Sequence, residues 1–310
     1  MNDMSEQPIP IVENISRQDL TESVRSNSLL ADLTISLWSG ERTDQHIGAQ
    51  LKADAGAVGN TGRYVKNLLA GCDKSLKSVR AAYTQARQAH YALTLPWVSN
   101  PHAEKSSGAR LLSNLHFQRY VSQMGKLKRD AEAQLDGFIH EYPDLVTQAQ
   151  ANLAGLARAE DYPTQDQVRA AFKLSFDFTP IPAADAFQNL PDDVLTQLGK
   201  RLQRRQEHAA RLAQGAMWER VKDTVSHLRD RLVDENQIFK ASSVESVREL
   251  ITLLPGFNTT GDDRVDAIVA DIRGMLEGIN AEDIRKHANT RQDVVRKAQA
   301  ITDKMSSWGL

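Results

Sequence analysis

The side chains that most often carry catalysis form no recognisable catalytic or metal-binding arrangement in this sequence. The histidines show neither an H-E-x-x-H pattern nor a close pair at the spacing that puts two metal ligands on one helix face. They lie at positions 46, 90, 102, 116, 140, 208, 227 and 287. A G-x-S-x-G nucleophile motif is absent, and no Asp/Glu group stands out as an acid/base or two-metal site. We therefore expect no catalytic residue, metal or cofactor, and an enzyme is the least favoured class.

Cys72 and a series of glycines are the other residues with chemical potential. Cys72 is the only cysteine, so neither an intramolecular disulfide nor a cysteine-based zinc site can form, and burial on an apolar stripe would raise its thiol pKa. Gly56, Gly59 and Gly62 precede Arg63 and could in principle cradle a phosphate. They match neither the P-loop nor the dinucleotide fingerprint, so we interpret them as a flexible entry to a helix.

Basic residues are concentrated in two segments. Residues 63–90 contain six cations against one acid, Asp73, and residues 200–211 contain five against Glu207. The candidate contacts in these segments are Arg63, Lys66, Lys74, Lys77, Arg80, Arg87, Lys200, Arg201, Arg204 and Arg205. Such faces could bind DNA or RNA phosphates. Because the net charge is -2, we favour the alternative that they face acidic helices of the fold or of a partner, or simply solvate the surface.

Two tryptophans differ in their predicted surroundings. Trp97, in the segment Thr94-Leu95-Pro96-Trp97, is a candidate anchor for a partner because tryptophan is enriched at interface hot spots. Core packing of that segment is an equally good explanation. Trp218 lies on an apolar stripe and is expected in the core.

Helices must position most of these residues. An apolar seam with four-three spacing predicts a long helix over about 62–92, paired with another helix as in a coiled coil. Its members are Val65, Leu69, Cys72, Leu76, Val79, Tyr83, Ala86 and His90. A second seam predicts a helix from about 113 to Tyr142, with Pro143 starting the next one. Its members are Phe117, Val121, Met124, Lys128, Ala131, Leu135 and Phe138, with Lys128 as the break.

Two stretches with period-two alternation, at about 31–38 and 171–178, predict strands that pair and lie on helices. Residues that interrupt helices and strands, mainly proline and glycine, predict a loop over 94–112. A helix of about 40 residues is expected to begin at Pro191. Shorter helices are expected at about 243–254, 263–278, 281–288 and 290–305. The expected fold is mainly α with a small β-sheet (α+β): an elongated antiparallel coiled coil or bundle on a two- or three-stranded sheet. We expect a loosely ordered segment over 1–22 and domains over 23–190 and 191–310.

Bulk composition favours a cytoplasmic protein. The 310 residues are 41% hydrophobic and 25% charged, as in ordinary soluble proteins. No run of about 18 apolar residues could span a membrane, and the acidic N-terminus lacks the features of a secretory signal. Homo-oligomerisation through the seams is possible.

Three segments together resemble an uncharacterised bacterial and phage family, a domain of unknown function. They are Ile35-Ser36-Leu37-Trp38-Ser39-Gly40, Phe176-Asp177-Phe178-Thr179-Pro180-Ile181-Pro182, and Val247 to Pro255 followed by Asn258 and Thr260. Genes of that family tend to lie beside AAA+ ATPases of the MoxR or cobalt-chelatase-like type, and the Leu95-Pro96-Trp97 segment resembles the phage branch. The resemblance implies a non-enzymatic phage accessory or adaptor protein that binds such an ATPase. The alternatives are a nucleic-acid-binding protein of phage replication or recombination, and a virion structural or assembly protein.

Overall fold

A computed structural model describes residues 17–98, 108–183, 191–234 and 239–310. Most of the segment expected to be loosely ordered, residues 1–16, lies outside this range, and residues 17–22 belong to the first helix. The helices are α1 (Arg17–Asn27), α2 (Gln45–Asp54), α3 (Lys74–Leu93), α4 (Phe117–Leu153), α5 (Gln165–Ala171), α6 (Asp192–Val233), α7 (Ala241–Phe257), α8 (Asp263–Met275), α9 (Ala281–Lys286) and α10 (Ala288–Ser307). The strands are β1 (Ser28–Ser36), β2 (Glu41–Thr43), β3 (Val65–Asn67), β4 (Leu95–Pro96), β5 (Arg110–Ser113) and β6 (Lys173–Thr179).

The predicted α+β class is confirmed, with a sheet larger than expected. One sheet has four strands in the order β4-β5-β1-β6, and a second consists of β2 and β3. β1 pairs antiparallel with β5, with Ser28 opposite Ser113. The strands predicted from period-two alternation are β1 and β6, and they are neighbours in this sheet. The segment expected to be a loop over 94–112 instead contributes β4 and β5, while its residues 99–107 lie outside the described range.

The first predicted helix begins later than its seam suggests. Val65 lies in β3, is 48% exposed and pairs with Thr43 of β2, and α3 starts only at Lys74. Gly71 has a φ of 79° and lies against Asn152, whose side chain donates to the Ala70 carbonyl. Because a positive φ is incompatible with a right-handed helix, Gly71 ends the turn and separates β3 from α3.

The second predicted helix continues through its proline. Pro143 lies inside the 37-residue α4, although proline lacks the N–H that would bond the carbonyl four residues earlier. That carbonyl, of Ile139, accepts a hydrogen bond of 2.7 Å from the side-chain amide of Gln165. The expectation that the helix ends at Tyr142 is therefore wrong, because a distant side chain replaces the missing donor.

Packing divides the described chain into two compact units, and neither is one continuous segment. Unit 1 comprises the described residues within Met1–Asp32, Tyr91–Tyr120 and Asp177–Leu310, and unit 2 comprises those within Leu33–His90 and Val121–Phe176. This division differs from domains that meet at residue 190. The boundaries fall inside β1, α3, α4 and β6, so continuous elements belong to both units.

The core of unit 2 joins the two seams through aromatic side chains. Tyr83 of α3 and Phe138 of α4 both contact Phe172, with ring centroids 5.7 and 6.3 Å apart. Trp38 packs on Phe138 and on Tyr142. Phe172 therefore lies against an aromatic member of each seam, Tyr83 on α3 and Phe138 on α4.

The core of unit 1 is a bundle of helices. α6 packs against α7 and α10, and α8 packs against both of these. On α6, Val221, Val225 and Leu228 are fully buried, and their spacing of four and three gives one apolar face. Trp218 is 3% exposed and packs edge-on against Trp308, which confirms its predicted core position. The four C-terminal helices lie where they were predicted, although α7 runs through Pro255 to Phe257.

No helix in the described parts of the chain is both long enough and apolar enough to cross a membrane.

Candidate functional site

The N-terminal half of α6 is a solvent-exposed helix that carries the second predicted basic segment. It starts after Pro191, with Asp192 and Asp193 in the first turn. Acidic side chains at this position stabilise a helix because they interact favourably with the positive end of its dipole. No side chain of α6 before Glu207 is buried. The helix is continuous with the buried second half of α6, which therefore holds the exposed half in place.

Four cations of this half-helix lie on one face, which we call the α6 basic face: Lys200, Arg201, Arg204 and Arg205. At 3.6 residues per turn they fall within an arc of about 140°. All four are exposed, and none forms an ion pair or hydrogen bond within the described residues. The nearest acid along the helix, Glu207, is buried and does not pair with them.

The density of charge on this face is high. From residue 200 to 205 the helix rises about 7.5 Å, which is roughly one cation per 2 Å of axis. Duplex DNA carries about one phosphate charge per 1.7 Å. Gln197 and His208 share the same face, because they lie three residues before Lys200 and four after Arg204. The sequence reading missed these two, although their helical spacing was the available signal.

The basic residues predicted on the first helix do not form a comparable face. Lys74 and Arg87 of α3 are exposed and have no ion pair among the described residues. Lys77 pairs with Asp73 at 3.0 Å. Arg80 donates hydrogen bonds to the carbonyls of Trp38 and Ser39. Half of the α3 cations therefore have partners within the fold.

Lys66 is a structural residue and not a surface contact, which corrects its assignment as a candidate binding residue. It lies on β3, is 3% exposed, and its Nζ pairs with Asp161 and, at 2.9 Å, with Asp44. The same ammonium donates to the Leu156 carbonyl. Burial alone would lower the pKa of Lys66, but the hydrogen bonds to the two carboxylates outweigh burial and raise it. The hydrogen bond from Lys66 and the N–H of Ile47 lower the pKa of Asp44 to about 2.

Trp97 also differs from its prediction as an exposed anchor. It follows β4 and is 4% exposed, so its indole lies in the core of unit 1 and is not available to a partner. The alternative reading, core packing of this segment, is the one that the structure shows.

Cys72 and His90, expected to pack, are buried. The carbonyls of Leu69 and Leu145 lie 3.5 and 3.4 Å from the Cys72 sulfur and can accept its one thiol proton, and burial raises the pKa of the thiol. A thiol with a raised pKa is a poor nucleophile at neutral pH. Within the described ranges no three His, Cys, Asp or Glu side chains could hold a metal ion together.

The loop between α2 and β3 contains the glycines that were considered for phosphate binding. Gly56, Gly59 and Gly62 have φ values of 62°, 93° and 101°, so the loop depends on the left-handed conformation that glycine tolerates. Contrary to the prediction, the loop leads into a strand and not a helix. Lys52 donates to the Gly59 carbonyl at 2.5 Å, while Arg63 is exposed and has no ion pair among the described residues.

Comparison of the chain with models of protein families, with curated proteins and with solved structures found no match to any of them.

Proposed function

We propose that the protein acts by binding and not by catalysis, and that the α6 basic face binds the phosphates of a nucleic acid. The observation that carries this proposal is the exposure of Lys200, Arg201, Arg204 and Arg205 without an acidic partner among the described residues. An exposed cation without an internal partner is free to replace the counterions of a phosphate backbone.

The chemistry of the α6 basic face favours nucleic acid over an acidic protein. The centre of a stable protein interface is apolar and depleted of charge, whereas this face presents only cationic and polar side chains from Gln197 to His208. Three of its four cations are arginines, whose planar fork binds phosphate oxygens in pairs. The net charge of -2 means that attraction must come from this local face and must weaken as salt is added.

A charge-reversal variant tests the proposal. We expect Lys200→Glu combined with Arg204→Glu to weaken binding of 20-nucleotide single-stranded and duplex DNA by about tenfold or more at 50 mM salt. The measurement is fluorescence anisotropy of the labelled DNA, with circular dichroism to establish that α6 still folds.

The matched control is Lys286→Glu combined with Arg296→Glu. This pair changes the net charge by the same amount, but its two cations are exposed on α9 and α10 and already pair with Glu282 and Asp293. Binding should be nearly unchanged in the control. The proposal fails if the wild-type chain does not bind DNA at low salt, or if both variants weaken binding equally.

A second candidate function, a protein adaptor, has its own supporting observation in unit 2. α2 has no buried side chain, and an isolated ten-residue helix is only marginally stable in water. Leu51, Val58 and Val65 nearby are 52%, 96% and 48% exposed. We call these three exposed side chains, one on α2, one in the loop that follows it and one on β3, the α2 apolar patch. A partner that covers it would stabilise α2, and the resemblance to the family of unknown function makes a MoxR-like AAA+ ATPase the candidate partner of a phage accessory protein.

Co-purification with a MoxR-like AAA+ ATPase tests the adaptor function. We expect a complex with the wild-type chain that is lost when Leu51 and Val58 are changed to Asp. Val233→Asp is the control, since Val233 is 61% exposed in the other unit. Failure to form a complex, together with an unchanged rate of ATP hydrolysis, would exclude this function.

A further inference from the structure

Two arginines meet at the C-terminal end of α3, in unit 1. Arg220 of α6 donates to the Ala92 carbonyl at 2.9 Å and to the carbonyls of Tyr91 and Thr94 at 3.1 Å. The last carbonyls of a helix have no intrahelical donor, and they carry the negative end of the helix dipole. Arg220 alone is thus a sufficient cap for this end of α3.

Arg110 of β5 brings a second guanidinium to the same place. Its Nε donates to the Thr94 hydroxyl at 2.7 Å, and its Nη2 donates to the Thr94 carbonyl at 3.2 Å. The two arginines therefore share one carbonyl oxygen. Each also lies over an aromatic ring, Arg110 over Tyr91 at 4.6 Å and Arg220 over Phe257 at 5.0 Å. Carbonyls and rings fix the orientation of both guanidinium groups.

The charge of this pair is not balanced. Neither Arg110 nor Arg220 forms an ion pair with a carboxylate of the described chain, although both are only partly exposed. Burial lowers the pKa of both, and the neighbouring Arg220 contributes to lowering that of Arg110 to about 10. The end of a helix supplies about half a negative charge, so roughly one and a half positive charges remain. Like charges held this close destabilise a fold unless an anion neutralises them.

We propose that Arg110 and Arg220 form a binding site for a phosphate group. A phosphate monoester carries about -1.5 to -2 charges at neutral pH, which matches the excess, whereas a carboxylate carries only one. Nη1 of Arg110 and Nε of Arg220 have no hydrogen-bond acceptor among the described residues, so each can donate to an oxyanion. Charge-assisted bonds of this kind from arginine are strong and geometrically specific.

The site is independent of the α6 basic face. Arg220 lies about 130° around α6 from the centre of that face, and it follows Arg204 by sixteen positions along the helix. One of these sites can therefore fail its test without affecting the other.

Thermal unfolding with inorganic phosphate as the probe tests this site. We expect phosphate to raise the Tm of the wild-type chain in a saturable manner, compared with sodium chloride and sodium acetate at the same ionic strength. A phosphate monoester, phosphoserine, tested in parallel distinguishes an esterified group from free phosphate as the preferred ligand. Arg110→Gln should weaken phosphate binding about tenfold or more, which corresponds to the loss of one charge-assisted interaction.

The matched control is Arg285→Gln. Arg285 also donates to a carbonyl, that of Phe239, and lies over its ring, but no other arginine of the described chain donates to this carbonyl. Both variants lose a hydrogen bond to a carbonyl and a contact with an aromatic ring, so both should lower the Tm in chloride. A purely structural role for Arg110 predicts that both variants keep the phosphate-dependent rise in Tm, whereas the phosphate site predicts that Arg110→Gln loses this rise and Arg285→Gln keeps it. The proposal is overturned if phosphate has no saturable effect on the wild-type chain, or if Arg110→Gln retains that effect in full.

Discussion

At the scale of single residues, the same basic type has two different roles in this chain. Lys66 and Lys200 both belong to basic segments of the sequence. Lys66 lies on β3, where the carboxylates of Asp44 and Asp161 pair with its ammonium, whereas Lys200 is exposed on α6. The local density of basic residues cannot separate these roles, because the partners Asp44 and Asp161 are far from Lys66 in sequence.

We expect Lys66→Met to destabilise the protein by about 3 kcal/mol, because removing one member of a buried ion pair leaves the remaining charges without compensation. Urea denaturation at pH 7 measures this difference. Lys74→Met is the control, since an exposed lysine without a partner among the described residues should change the free energy of unfolding by less than about 0.5 kcal/mol.

The difference in the free energy of unfolding between the wild-type chain and Lys66→Met should decrease at acidic pH. The pKa of Asp44 is about 2 in the folded chain, below its value of about 3.9 when unfolded. Its contribution to stability is therefore complete above pH 4 and is lost as the pH falls towards 2. The difference between wild type and Lys66→Met should shrink over this window. A difference that stays constant, or that is absent at pH 7, would show that the cluster of Lys66, Asp44 and Asp161 does not stabilise unit 2.

At the level of helices and strands, sequence patterns predicted those elements whose bounds are marked by residues within or next to the element. β6 and α6 lie within a few residues of their predicted bounds, because alternating Phe and Leu define the strand and Pro191 defines the helix start. α3 begins later than predicted because part of its seam, from Val65 to Cys72, is a coincidence of spacing. Gly71 was the available signal against a helix there.

The continuity of α4 through Pro143 could not be predicted from local sequence. It depends on Gln165, which lies 26 residues beyond Ile139 and donates to the carbonyl that the proline leaves without a donor. Of the candidate sites, the α6 basic face could be predicted because its residues lie on consecutive turns of one helix. Arg110 and Arg220 could not, because 110 residues separate them and no spacing rule connects a strand to the middle of a helix.

We expect Gln165→Leu to destabilise unit 2 by about 1 to 2 kcal/mol, because the partly buried Ile139 carbonyl then lacks a donor. Hydrogen–deuterium exchange should be faster in the turn of α4 around Pro143. Gln148→Leu, on the exposed side of the same helix, provides the comparison. Equal stability and equal exchange in the two variants would mean that α4 tolerates the proline without help from Gln165.

At the scale of the whole molecule, the two compact units are assembled from alternating segments of the chain. The composition and the proline near residue 190 predict a domain boundary there, but the division between the two compact units runs through the interior of four elements. Local patterns describe each element and contain no information about which distant segment packs beside it. The two units also present different candidate surfaces, with the α6 basic face in unit 1 and the α2 apolar patch in unit 2.

We propose that this almost neutral molecule binds nucleic acid through one concentrated basic face. The salt dependence of DNA binding tests it most directly, because the slope of log K against log salt counts the phosphates neutralised, at about -0.9 each for duplex DNA. Four contacts predict a slope of about -3.6 for the wild-type chain and about -1.8 for Lys200→Glu with Arg204→Glu. A slope near zero, or one that the charge reversal leaves unchanged, would contradict the claim.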